Sequence, residues 1–217
     1  MGIFKLLIKI SLCLFLFGNC KKTKEPKVIK TLSMKVDTVL KIPKYLTKNY
    51  VLGKFDYTKN DGFVIVPKKL SNKKTYLCKE VLSAFLKMEN AAKKENINLK
   101  IISGTRNFNH QKRIWNYKWK EKYKNVSLDK RALKILEYSS MPSTSRHHWG
   151  TDIDLNSLNN SYFSSGKGLT AYNWLIKNAA KFGFYQPYTS KQNGRTGYNE
   201  EKWHWSYLPL SSIYLKY

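Results

Sequence analysis

The sequence predicts an α+β fold with a small sheet, on three observations. Its 42 % hydrophobic and 14 % aromatic content belongs to a packed body rather than a disordered one. Its 217 residues suit one well-cored domain with an extension, and no internal repeat divides them. Segments with apolar residues at helical spacing alternate along the chain with short stretches of period-two alternation, so helices and strands are interleaved.

In chain order, the first nineteen residues combine Lys5 and Lys9 with the apolar run Ile10 to Phe17 and a Gly18-Asn19-Cys20 exit. A basic start, a short apolar stretch and a small-residue exit describe a secretory signal, too short for a membrane span. Cys20, directly after that exit, resembles the lipid-attachment cysteine of a bacterial lipoprotein, although Asn19 fits that pattern poorly. Residues 20–45 then form a lipid-anchored tether, lysine-rich over KKTKEPKVIK, and residues 46–217 form the remaining domain. Tyr50–Tyr57 and Phe63–Val66 read as strands around an Asn60-Asp61-Gly62 turn. Leu77, Val81, Phe85 and Met88 recur at helical spacing within Lys74–Glu95. A strand follows over Asn98–Ser103, ended by Gly104. Asn107 is placed to cap a helix reaching Tyr123, and another helical patch covers Leu128–Tyr138. Thr170 is the expected N-cap of Ala171–Phe182, with Gly183 as its stop. Thr151–Leu155 and Lys202–Tyr207 complete the set as strands.

Forty basic residues against fourteen acidic ones give a net charge of +26. Nucleic acid, an anionic membrane surface or an acidic polymer are the partners such a charge suits. Lysine is spread along the whole chain, as on a solvated surface, and the export signal turns the reading toward wall polymers and lipid head groups rather than nucleic acid. Of three cysteines, Cys13 would leave with the signal and Cys20 would carry lipid; Cys78 then has no partner and no internal disulfide is expected.

Against this basic background, the stretch SRHHWGTDID gathers two imidazoles and two carboxylates in residues 145–154. Gly150 lets the backbone turn between a loop histidine and the strand, where Asp152 and Asp154 share one face. In EEKWHWSY, residues 200–207, alternation sets Trp203, Trp205 and Tyr207 on one side and His204 with Ser206 on the other. Glu201, three before His204, approaches the same point only if the chain bends near Lys202. Two histidines and a carboxylate with an open fourth position are the donor set of hydrolytic zinc, and a nearby carboxylate is what such a site needs as base and acid. Taken singly, His204 reads as a packed core imidazole and the aspartates as turn or surface acids, while Arg106 after its Ser-Gly turn reads equally as a surface charge or a substrate clamp. Their joint occurrence carries the metal reading.

The spacing Ser145-x-His147-x-x-Gly150-x-x-x-Asp154, followed by Glu201-x-Trp203-His204, resembles the zinc D-alanyl-D-alanine carboxypeptidases of the VanY type. Ser103-Gly104-Thr105-Arg106 followed by Gln111 resembles a further motif of that family, and the three together cover roughly residues 75–208. The resemblance implies the hedgehog/D,D-peptidase-like fold, a small antiparallel sheet flanked by helices. It implies a Zn2+ cofactor held by His147, Asp154 and His204, with Glu201 as catalytic base. Arg106 would polarise the scissile carbonyl or hold substrate, Ser145 would meet the terminal carboxylate, and Gln111 would bind substrate. The implied activity is removal of the terminal D-Ala from peptidoglycan stem peptides; with the signal segment and Cys20, the expectation is an exported cell-envelope lipoprotein, taken to be monomeric. His148 and Trp149 replace a smaller polar pair of the family, and Asp152 is an additional acid; a shifted register would make His148 or Asp152 the ligand. D-Ala-D-Ala dipeptidase and endopeptidase activities share the same motifs, with loops 156–168 and 186–199 expected to separate them. A wall-binding module with a spent site is the rival outside catalysis, and the intact Glu201 argues against it.

Overall fold

A computed structural model describes residues 46–216 of the chain. The signal segment, Cys20 and the tether of residues 20–45 lie outside the described residues.

The described chain opens with one turn of helix, α1 (Lys48–Val51), where Thr47 Oγ1 accepts from Tyr50 N at 3.2 Å. Strand β1 (Phe63–Ile65) pairs antiparallel with β2 (Tyr76–Cys78), and β2 runs directly into α2 (Lys79–Lys94). Val81, Phe85, Met88 and Ala92 of α2 are fully buried, one stripe of a 3.6-residue period. Burying each of the Val, Phe and Met side chains among them stabilises the fold by about 1.5–3 kcal/mol. Strand β3 (Ile101–Ser103) leads through Gly104–Arg106 into α3 (Phe108–Tyr117), capped by Asn107 Oδ1 accepting from His110 N at 2.9 Å. A π-helical turn over Lys118–Lys122 continues α3 before α4 (Leu128–Leu136). Strand β4 (Asp152–Leu155), helix α5 (Gly166–Asn178), the two-residue strand β5 (Phe184–Tyr185), β6 (His204–Tyr207) and α6 (Leu208–Tyr214) complete the chain.

The main sheet is antiparallel in the order β3-β4-β6-β5, with helices around it, as the α+β expectation has it. Its two inner strands pair Asp152 with Ser206, Ile153 with Trp205 and Asp154 with His204. Ile153 and Leu155 enter the hydrophobic core with Trp205 and Tyr207, so the opposite face of β4 and β6 carries polar side chains that are nonetheless enclosed. That enclosed polar face is where the candidate site lies.

Several expected elements differ. Tyr50–Tyr57 is helix and turn rather than strand, because Tyr50 and Phe55 stack at 4.6 Å and pack against Phe63, burying apolar residues without a pairing partner. Tyr76–Cys78 belongs to a strand, not to the following helix; Leu77 only coincides with the helical spacing. Thr170 lies inside α5, its Oγ1 donating to Gly166 O at 3.1 Å, and the helix begins four residues earlier at a glycine pair that resembles a loop. Gly183, at φ +83°, does end the helical segment.

Candidate metal centre

The site begins with a turn. Residues Arg146–Trp149 form a 3-10 turn closed by Gly150 at φ +73°, after which β4 starts. A Cβ at Gly150 would come within 2.4 Å of the Phe63 ring and 2.9 Å of Cys78 Sγ, so both the backbone conformation and the space demand glycine. The turn buries His147, whose Nδ1 lies 2.8 Å from Gly104 O. A carbonyl only accepts, so Nδ1 carries the proton and Nε2 presents its lone pair inward. Nε2 stands 3.3 Å from Asp154 Oδ1.

On β6, His204 faces Asp154 across the sheet, its Nδ1 3.3 Å from Asp154 Oδ1. Its Nε2 lies 2.8 Å from Asp152 Oδ2. The chain does bend before this strand: residues 202–203 form a turn, and His204 N donates to Glu201 O at 3.2 Å. The bend carries Glu201 back, with Oε2 3.2 Å from His204 Nδ1.

One ligand atom from each of His147, Asp154 and His204 lies within 4.8 Å of the others, and all three residues are buried. His147 Nε2 and Asp154 Oδ1 complete no hydrogen bond among the described residues, although both are sealed from solvent. Buried lone pairs converging on one point, with the outer nitrogen of each imidazole already committed, fit a divalent cation of the zinc type. The electrostatics agree. Burial, reinforced by Arg106, pushes the His147 imidazole below its ordinary pKa and keeps it neutral, as a ligand must be. Burial alone would raise the Asp154 carboxyl, but the two imidazoles hold it well below the usual carboxylate range. His204 also suffers from burial, yet Asp152, Asp154 and Glu201 outweigh this and raise it well above 6.5, so a cation held at Nδ1 would take the place of a proton.

A cleft of about 700 Å3 opens over this cluster, lined among others by Arg106, Lys118, Ser145, Tyr188, Glu201 and Trp203. Arg106 Nη1 lies 3.9 Å from Asp154 Oδ2, and its backbone is pinned by Arg106 N donating to His147 O at 3.1 Å. Ser145 lines the cleft beside His147 and is buried. Gln111 is buried too, with Nε2 donating to Ser140 O at 2.7 Å, so its amide nitrogen holds a wall of the cleft. Leu158, Asn159 and Asn160 from one loop and Tyr188 with Tyr198 from another also reach the cleft, the two loops expected to tune substrate choice.

The shifted registers do not converge. His148 spends Nδ1 on Arg106 O at 2.6 Å and Nε2 on Ser143 N at 3.2 Å, and burial pushes its pKa down to about 4. Asp152 has its oxygens committed to Arg146, His204, Ser206 and Thr151. Arg146, Ser206 and Tyr185 are the participants that sequence reasoning passed over. Arg146 precedes the His147 motif position, but nothing local says that its partner lies six residues on. Lys118 of the π-helical turn was likewise unmarked; its Nζ donates to Ser139 Oγ at the edge of the cleft.

Fold and site together define the class: a small antiparallel sheet flanked by helices, whose two inner strands and preceding turn bring together three side chains that could hold a metal ion. The family model for VanY, D-alanyl-D-alanine carboxypeptidase, matches residues 74–210, and the chain belongs to that family. YodJ of Bacillus subtilis, named as a carboxypeptidase, is 34 % identical over 137 residues, covering 62 % of this chain and 47 % of the relative. The D-alanyl-D-alanine carboxypeptidase of Enterococcus faecalis is 28 % identical over 123 residues, covering 56 % of this chain and 44 % of the relative. The chain thus spans about half the length of the curated relatives it matches. Among solved structures, VanYB in complex with D-Ala-D-Ala superposes with a TM-score of 0.56 at 24 % identity, covering 73 % of this chain and 85 % of that one. The LdcB LD-carboxypeptidase gives 0.58 at 25 % identity, covering 75 % and 74 %.

Proposed function

We propose that this chain is a zinc-dependent D-alanyl-D-alanine carboxypeptidase that hydrolyses the terminal D-Ala from peptidoglycan stem peptides. The observation that carries the reading is the meeting of His147 Nε2, Asp154 Oδ1 and His204 Nδ1 beside the carboxylate of Glu201, at the floor of an open cleft. Zinc held by those three residues would supply a Lewis acid that acidifies water and polarises a carbonyl. Glu201 Oε2 receives the proton of the attacking water, holds it while the carbon–nitrogen bond of the scissile peptide breaks, and returns it to the leaving amine of D-Ala. Arg106 contributes positive charge where the carbonyl oxygen becomes negative. Ser145 and the cationic cleft residues Lys118 and Lys122 suit a substrate that ends in a carboxylate. Trp203 and Tyr188 give the cleft an aromatic wall.

The signal-like first nineteen residues and Cys20 support an exported, lipid-anchored chain acting at the cell envelope. The test is direct. The chain is loaded with zinc and incubated with stems ending in D-Ala-D-Ala, and products are followed by mass. Loss of one alanine supports the proposal; loss of a dipeptide, or a cut within the stem, assigns the activity to the neighbouring chemistries. Stems with a single terminal D-Ala test the LD specificity named for the LdcB neighbour. Glu201→Gln should retain stoichiometric zinc and lower kcat by about 10²- to 10⁴-fold. A Gln variant as active as the parent removes Glu201 from the mechanism, and a chelator that leaves the rate unchanged removes the metal.

A further inference from the structure

Asp152 is the acid that the proposed chemistry leaves unused. It is fully buried, and a buried carboxylate is costly unless every oxygen is satisfied. Here four side chains donate to it. Arg146 Nε and His204 Nε2 each lie 2.8 Å from Oδ2, and Ser206 Oγ and Thr151 Oγ1 each lie 2.7 Å from Oδ1. Arg146 is fixed in turn: its Nη2 donates to Ser206 Oγ and to Tyr185 OH, and its guanidinium stacks over the Trp149 ring at 5.1 Å.

The network joins the elements that deliver the candidate ligands. Arg146 sits next to His147 on the turn, Asp152 shares a face of β4 with Asp154, and the diagonal neighbour of Asp152 across the sheet is His204. Because a carboxylate accepts only, its contact obliges His204 Nε2 to carry the proton, which leaves Nδ1 as the nitrogen facing His147 and Asp154. We propose that Asp152 is a positioning residue for the metal centre, holding His204 in the Nδ1-presenting tautomer and, through Arg146, holding the turn that carries His147. This rests on the reading that His147, Asp154 and His204 bind zinc. The alternative is a purely structural ion pair between Arg146 and Asp152 that leaves the metal indifferent.

The experiment uses the full chain, with zinc affinity measured by competition against a chromophoric chelator and the visible spectrum recorded after cobalt(II) substitution. Asp152→Ala is expected to weaken zinc binding by about 10- to 100-fold and to shift the cobalt bands. Asp152→Asn keeps an acceptor oxygen for His204 and should lie nearer the parent. The double variant Arg146→Ala/Asp152→Ala removes the guanidinium that the single change would strand, and the same loss of affinity should persist in it. A folded Ala variant that binds zinc like the parent overturns the proposal. Should neither Ala variant fold, nitrogen-15 NMR of the unaltered chain decides: a proton on Nε2 of His204 in the zinc-loaded state supports the assignment, and a proton on Nδ1 overturns it. An unaltered chain that takes up no zinc at all refutes instead the metal reading on which the inference stands.

Discussion

His147, Asp154, His204 and Glu201 are drawn together by features small enough to change one atom at a time. Gly150 is the clearest. Gly150→Ala places a methyl against the Phe63 ring and Cys78 Sγ in a backbone region where φ is positive. The combined strain and overcrowding should cost about 2 to 4 kcal/mol, read as a lower urea midpoint, and should weaken zinc binding because the same turn carries His147. An unchanged midpoint would mean that the turn relaxes without cost. Period-two alternation set Asp152 with Asp154 and His204 with Ser206 on known faces, whereas the choice of His147 over His148 and of Asp154 over Asp152 came from the spacing of the family motif. The bend that returns Glu201 toward His204 was legible only as a condition, since a regular strand would have turned its side chain away. Arg146 and Ser206 were not legible: their meeting depends on the register between β4 and β6, which no local pattern encodes.

At the scale of elements, the π-helical turn at the end of α3 has a consequence of its own. It sets Lys118 at the cleft edge, where burial, reinforced by Lys122, pushes its ammonium from 10.5 down to about 8. Below that pH the lysine is charged and attracts a substrate carboxylate; above it the attraction fades. KM for a stem with a free terminal carboxylate should therefore rise as pH passes about 8 while kcat holds. In Lys118→Gln the KM is expected to be higher at neutral pH and to lose this dependence; a parent-like profile in that variant assigns the titration elsewhere. The folded chain releases this proton near 8 and the unfolded chain near 10.5, so the same lysine makes the fold more stable as pH rises between those values. The helices α2 and α3 and the inner strands followed from periodicity and, for α3, from the Asn107 cap. The segment Tyr50–Tyr57 did not, because its apolar residues are buried by aromatic stacking rather than by strand pairing, and the glycine-led start of α5 carries no capping side chain to announce it.

For the molecule as a whole, the sequence carries a net charge of +26. An intact anionic wall polymer should be concentrated by that field, whereas a short stem peptide gains little from it. Raising salt is then expected to lower kcat/KM on polymeric peptidoglycan much more steeply than on the isolated peptide; parallel salt slopes on the two substrates would show that the surface charge takes no part. Residues 46–73, ahead of residue 74 where the family match begins, are structurally tied to the turn that carries His147. Tyr50 OH donates to Trp149 O at 2.8 Å, Trp149 Nε1 donates to Val51 O at 3.2 Å, and a Cβ on Gly53 would strike the His148 ring at 2.4 Å. A fragment cut at the homology boundary would thus lose the buttress behind the turn that carries His147.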